Sequence, residues 1–297
     1  MDQAEQLRNM IKATTQSQRP LARVITVTSG KGGVGKSNTA INLAIQLKKL
    51  GQRVIILDAD FGLANIEIMF GTVPKYNLGD LIYQGKNIQE IITKGPMDIG
   101  FISGGSGIAG MSNLNRDYLT YIIKNLAQLD AMTDVIVVDT GAGISDAVLE
   151  FLVASGEILL VTTPEPTSIT DSYSLLKALS RHPRFLKDMS QIKVITNRVE
   201  NAEEGRTLFN KLNAVVARYL KLPISYLGSV PMDNQLSKAV MQQTPVSIQN
   251  PNAKSAKAFE EIAAKLMNVE LNRSLNKRGM AAFFSHIIAG KKMGNGE

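Results

Sequence analysis

A glycine-rich stretch, Ser29-Gly-Lys-Gly-Gly-Val-Gly-Lys-Ser-Asn-Thr39, constrains this chain more than any other part of it. It follows Arg23-Val-Ile-Thr-Val-Thr28, a β-branched run of the kind that forms a buried strand. It opens onto Asn38 to Leu50, where Ile41, Leu43, Ala44, Ile45 and Leu47 suit a helix packed on a sheet. Strand, loop and helix in that order are the context a phosphate-binding loop requires, and Gly30, Gly35, Lys36 and Ser37 fit the G-x-x-x-x-G-K-[ST] spacing. Backbone N–H groups of Gly32, Gly33, Val34 and Gly35 can curl around phosphates, and the helix that begins near Asn38 adds the positive end of its dipole. Lys36 is placed to neutralise β/γ-phosphates, and the Ser37 hydroxyl to hold Mg²⁺.

Two further strands end in carboxylates. Gln52-Arg-Val-Ile-Ile-Leu57 is nearly all apolar, as a parallel strand covered on both faces should be, and runs into Asp58-Ala-Asp60. The two aspartates alternate along the chain, so only one faces the phosphates directly. Asp134-Val-Ile-Val-Val-Asp139 has the same form, which makes Asp139 a candidate for the Mg²⁺ shell. Thr140-Gly-Ala-Gly143 after it supplies the backbone freedom of a γ-phosphate sensor. Strands are also expected over 157–162, 191–197 and 225–230, with helices over 63–70, 115–129, 169–179, 203–220 and 253–271. That alternation predicts one α/β domain over 21–271, a doubly wound and mostly parallel sheet with helices on both faces.

Composition narrows the classes. The chain is 44% hydrophobic with mean hydropathy near zero, has no apolar run of membrane-spanning length and no signal-peptide core, so a cytoplasmic location is expected. It has no cysteine, which removes carriers of iron–sulfur clusters. A net charge of +7 admits anionic lipid or nucleic acid as a partner.

Lys31, directly after the first glycine of the loop, stands at the wrong end to duplicate Lys36 on its own nucleotide. G-K-G-G-V-G-K-S resembles the deviant phosphate-loop motif of the MinD/ParA family of ATPases. The resemblance covers about residues 22–270 and implies Mg-ATP as cofactor and an ATP-dependent homodimer in which Lys31 reaches the second subunit's phosphates. It also gives Asp60 the role of orienting the attacking water, and Asp58 a supporting or Mg²⁺-linked one. Asn197 would read the adenine edge, and Pro231 and Asp233 would line the base pocket. Where relatives often carry proline after the third aspartate, this chain has Ala142.

The two ends set this chain apart within the family. Residues 272–297 place Met280, Phe283, Phe284, Ile287 and Ile288 on one helical stripe between Arg273, Lys277, Arg278 and Lys291, Lys292, the pattern of an interfacial membrane helix. The same stripe could instead dock on its own core, or alternate between the two. Residues 1–20 form an arm whose Asp2-Gln3-Ala4-Glu-Gln-Leu7-Arg8 resembles that of the FlhG group (YlxH, FleN), MinD-like ATPases that govern flagellar number and placement. That resemblance implies two protein partners: the SRP-type GTPase FlhF, through the arm, and components of the flagellar C-ring. A MinD-type division regulator and a ParA-type DNA-partitioning ATPase are the alternatives; no nucleic-acid partner is expected. His182 and His286 have no metal or catalytic pattern and are read as structural.

Overall fold

The structure is a computed structural model that describes residues 21–60, 65–105, 125–268 and 279–293. The candidate arm residues Asp2, Gln3, Ala4, Leu7 and Arg8 and most of the helix expected over 115–129 lie outside the described residues.

The elements run β1 (Arg23–Thr28), α1 (Lys36–Lys49), β2 (Val54–Ala59), α2 (Asn65–Phe70), α3 (Leu78–Tyr83), α4 (Ile88–Ile91), β3 (Thr93–Lys94) and β4 (Gly100–Ser103). They continue with α5 (Leu129–Met132), β5 (Val135–Thr140), α6 (Asp146–Ala154), β6 (Glu157–Thr162), α7 (Pro166–Arg181), β7 (Gln191–Val199), α8 (Ala202–Leu220) and β8 (Ile224–Pro231). Last come α9 (Asn234–Met241), α10 (Val246–Gln249), α11 (Lys254–Asn268) and α12 (Gly279–Met293).

The described strands form one sheet in the order β3-β4-β2-β5-β1-β6-β7-β8. Every pair is parallel except β3 with β4. β1 lies between β5 and β6, where the winding reverses, and the crevice above its C-terminal end is where such sheets bind ligands. Side chains alternate across the sheet: Ile25 and Val27 face α1, α2 and α9–α11, whereas Val24, Leu57 and Val138 face α3–α6 and α12. α7 begins three residues before the expected Ile169, because Pro166 at the first helical position is already fixed near helical φ. Ser168 accepts from the Thr163 N–H and bonds the Thr162 hydroxyl.

At the opposite edge of the sheet, the first residues of two strands and a third side chain meet in a buried ionic network. Glu157 accepts from Arg23 Nε and Nη2, both at 2.8 Å, and from Lys193 Nζ. Arg23 also donates to the Leu266 carbonyl in the last turn of α11. Burial pushes the Glu157 carboxyl up, but Arg23 and Lys193 outweigh it and hold it below the usual carboxylate range.

The tail helix is part of the core. Met280, Phe283, Phe284 and Ile287 are buried, and the Phe283 ring lies 5.8 Å from Phe151 of α6. Asp130 accepts from the Met280 N–H at 2.9 Å at the helix start. Farther along, Arg184 donates to the His286 carbonyl and pairs with Glu150 of α6. His182 belongs to the same brace, accepting from the Arg184 N–H at 3.3 Å. The membrane stripe expected from the sequence is thus an internal face here; the Ile288 side chain lies outside what is described.

Candidate active site

The loop after β1 closes around a cleft of about 450 Å³ lined by Ser29, Gly32, Gly33, Gly35, Lys36, Ser37, Asn38, Asp60, Asn65, Ile68, Met69, Ala142, Arg198 and Val240. Gly35, at φ 92°, immediately precedes α1, a backbone state that any Cβ would strain, and a Cβ there would also come within 2.3 Å of Asn197 Nδ2. Gly143 donates its N–H to the Ser29 carbonyl at 2.9 Å, tying the loop after β5 to the phosphate loop. Val34 turns its side chain into the core, leaving only its backbone for a ligand.

Lys36 bridges the cleft floor, donating to Asp139 Oδ1 at 2.7 Å and to Ser37 Oγ at 3.4 Å. Asp139 is fully buried, and its Oδ2 carries no hydrogen bond among the described residues. Burial pushes the Asp139 carboxyl up despite the charge of Lys36. A buried carboxylate oxygen left unpaired beside a serine hydroxyl is an arrangement that a hard cation satisfies, so these residues fit Mg²⁺.

Asp58 faces Asp139 directly across the β2–β5 ladder. It is not in the cleft wall: its oxygens accept from the Asp60 N–H at 3.1 Å and the Ile66 N–H at 3.3 Å, tying the end of β2 to the start of α2. Asp60 is in the wall and accepts from Asn65 Nδ2 at 3.2 Å. Burial first, then the charge of Asp139, push Asp58 up to about 7. A carboxyl whose folded value is raised contributes stability that is complete below its unfolded value and is lost as pH rises through 7. The nucleotide-free protein should therefore lose roughly 2–3 kcal/mol of stability between about pH 5 and pH 8. Asp58→Asn should flatten most of that slope in thermal melts; an unchanged slope would assign the titration to another group.

Lys31 turns away from its own cleft. Its ammonium donates to Glu165 at 2.8 Å and to Thr167 Oγ1 at 2.9 Å on the exposed start of α7. Lys31 holds the Glu165 carboxyl below the usual range, with Arg198 contributing more weakly.

The three base-pocket candidates lie as follows. Asn197 is buried beneath the loop, where its Nδ2 donates to the Val34 carbonyl at 2.7 Å and its Oδ1 accepts from the Arg198 N–H at 2.9 Å. Asp233 caps α9 through the Gln235 N–H and binds the Ser255 N–H and hydroxyl. Pro231 ends β8 and stays out of the cleft wall. The wall is instead completed by Arg198, Ile68, Met69 and Val240. Only Arg198 had a signal in the sequence, its place next to Asn197.

Comparison with known proteins places the chain in a family. The family model described as "ParA: NUBPL iron-transfer P-loop NTPase" matches residues 20–267. The iron transfer in that description has no cysteine ligands to use in this chain. The chain is 40% identical to the antiactivator FleN of Pseudomonas aeruginosa over 88% of its own length and 91% of that protein's. It is 33% identical to the flagellum site-determining protein YlxH of Helicobacter pylori, over 90% of each. Among solved structures, the septum site-determining protein MinD of Pyrococcus horikoshii complexed with Mg-ADP superposes with a TM-score of 0.67 at 22% identity, covering 85% of this chain and 99% of that one. The chain belongs to the MinD/ParA family of P-loop NTPases, in the group of FleN and YlxH.

Proposed function

We propose that the chain is an ATP-dependent dimerising switch that cycles on and off the membrane and regulates flagellar number and placement. The position of Lys31 carries this reading. Its ammonium stands outside its own cleft, on an exposed rim beside Glu165 and Thr167, where a second copy of the chain would bring its nucleotide. In that dimer Lys36 neutralises phosphate charge from within the subunit, Lys31 does so across the interface, and Asp60 orients the attacking water. Mg²⁺ held by Ser37 and Asp139, with Asp58 behind them, would supply further neutralisation at the β/γ-phosphates. The flagellar assignment is supported by what YlxH, the flagellum site-determining protein, is named for. The arm at Asp2, Gln3, Ala4, Leu7 and Arg8 is the proposed contact for the GTPase FlhF, and C-ring components are the second partner class.

No helix among the described residues is long and apolar enough to cross a membrane, so attachment would be peripheral, through α12. Burying four large apolar side chains is worth roughly 6–12 kcal/mol before ordering costs, so α12 leaves its groove only where another state offsets that loss. Loop 141–145 joins Asp139 to α6, which holds Phe283 through Phe151 and the Arg184 brace through Glu150. A change at the γ-phosphate would reach the tail helix by that route.

Liposome co-sedimentation tests the reading, with ADP and with a non-hydrolysable ATP analogue. Full-length protein should pellet with anionic vesicles only with the analogue. Reversing Lys291 and Lys292 to glutamate, which leaves Met280, Phe283, Phe284 and Ile287 unchanged in sequence, should abolish pelleting. Equal solubility with both nucleotides would remove the membrane step.

A further inference from the structure

Three segments far apart in the chain meet where the tail helix begins. Gly279 opens α12 at a φ of 49°, the left-handed state that a residue with a Cβ adopts at a cost. A Cβ there would also stand 2.6 Å from Asp130 Oδ2 and 3.1 Å from Leu21 Cδ2, so both neighbours close on bare backbone. Asp130, from α5, accepts the Met280 N–H with both carboxylate oxygens, at 2.9 and 3.1 Å. That N–H is one of the first four of a helix, which find no acceptor within it, and a carboxylate at this end also meets the positive pole of the helix dipole. Leu21 is 44% exposed, although Ala22 beside it is buried in the cluster that holds Met280, Phe283, Phe284 and Ile287. Residues 1–20 run directly into Leu21, which therefore joins the arm to the core and rests on the residue that opens the tail helix.

We propose that Leu21, Asp130 and Gly279 form a latch that couples the N-terminal arm to the release of α12, so that a protein gripping the arm and drawing Leu21 off Gly279 loosens the tail. Two observations select a latch over ordinary packing. The apolar stripe of α12 needs only a groove, whereas the contact at Asp130 needs the bare, left-handed backbone of Gly279. The exposure of Leu21 also leaves it within reach of whatever holds the arm, whereas Phe151 and Arg184, which hold α12 farther along, lie in segments remote from the arm in sequence. Coupling of this kind is reciprocal: release of α12 eases the displacement of Leu21 by the same factor. The latch stands on the docked tail alone; its consequence at a membrane rests on the reading proposed above.

Hydrogen exchange of the nucleotide-free, full-length protein tests the latch without lipid, by following the amides of residues 283–287. Gly279→Ala and Asp130→Ala should each speed their exchange by roughly 5- to 30-fold, the range for losing a helix cap, while amides of β1 and β5 keep wild-type rates. Leu21→Ala should speed it by roughly 3- to 10-fold. Leu50→Ala, at a leucine of similar exposure after α1 on the other face of the sheet, should leave it unchanged. The chain has no cysteine, so Arg19→Cys supplies a single thiol for biotin, and streptavidin loaded there, two residues from Leu21, should act as Leu21→Ala does. Wild-type exchange in Gly279→Ala, or faster exchange spread through β1 and β5 as well, would overturn the latch. A quickened tail in Gly279→Ala with none in Leu21→Ala or under streptavidin would overturn its link to the arm. Gly279→Ala should also pellet with anionic vesicles in ADP about 5-fold more than wild type, because the released fraction sets the apparent affinity. Faster exchange without pelleting would keep the latch and sink the membrane reading instead.

Discussion

Glu157→Gln is expected to lower the stability of the folded chain by roughly 3–5 kcal/mol, because it removes the one anion facing two buried cations. For a domain of this size that is a fall in melting temperature on the order of 10 °C. The magnitude comes from what is left behind. Arg23 cannot shed its charge, and its guanidinium remains fixed against the Leu266 carbonyl. Removing the second cation as well, in Glu157→Gln with Lys193→Met, should recover part of the loss, a non-additivity that scanning calorimetry can read. Nucleotide affinity should stay within about twofold of wild type, since the network lies at the edge of the sheet opposite the phosphate loop. A variant as stable as wild type would mean that water or a movement of α11 compensates the cations.

That network also marks what the sequence could and could not convey. The strands were legible because each is a short β-branched or apolar run between turn signals, and the phosphate loop because its chemistry demands fixed spacing. Lys36 and Ser37 follow from that spacing, Asp139 from an apolar strand that ends in aspartate and Asp60 from the family resemblance, and all meet at the cleft floor or wall. Contacts between residues far apart in the chain left no local trace. Nothing near Arg23 announces Glu157, which is 134 positions away. For Asn197 the family resemblance implies an adenine contact. The structure shows that such an amide can serve the protein's own loop instead, and that the neighbouring arginine is the one in the cleft wall. The tail is the instructive case. A stripe of Met280, Phe283, Phe284 and Ile287 between basic ends has the same pattern whether it meets lipid or protein, since periodicity reports an apolar face and not its occupant. Only the complementary groove, with Phe151 at its centre, decides between them, and that groove is assembled from α6 and the sheet.

The second large effect concerns Lys31. Lys31→Ala should lower ATP turnover by about 10³-fold or more if the ammonium neutralises charge at the phosphates of a second subunit, the scale seen when a cationic finger is supplied in trans. Asp60→Ala should be similarly inactive, for lack of an oriented water. Neither result alone tells a contact within one subunit from a contact across two, but mixing the two inactive proteins does. In a mixed dimer the site on the Lys31→Ala chain keeps its own Asp60 and receives Lys31 from the Asp60→Ala chain. That site is complete; the other lacks both groups. With random pairing half of the dimers are mixed, and each has one working site of two, so phosphate release should return to about a quarter of the wild-type rate. If Lys31 acted on its own nucleotide, every site in the mixture would still lack one essential group and the rate would stay at the level of the separate variants. The structure favours recovery on geometric grounds. The ammonium is committed to Glu165 and Thr167 on the exposed rim, and the cationic position inside the cleft is already filled by Lys36 in contact with Asp139. A second lysine there would face a site whose charge is already matched, whereas across a dimer interface it would meet phosphate oxygens that Lys36 leaves exposed.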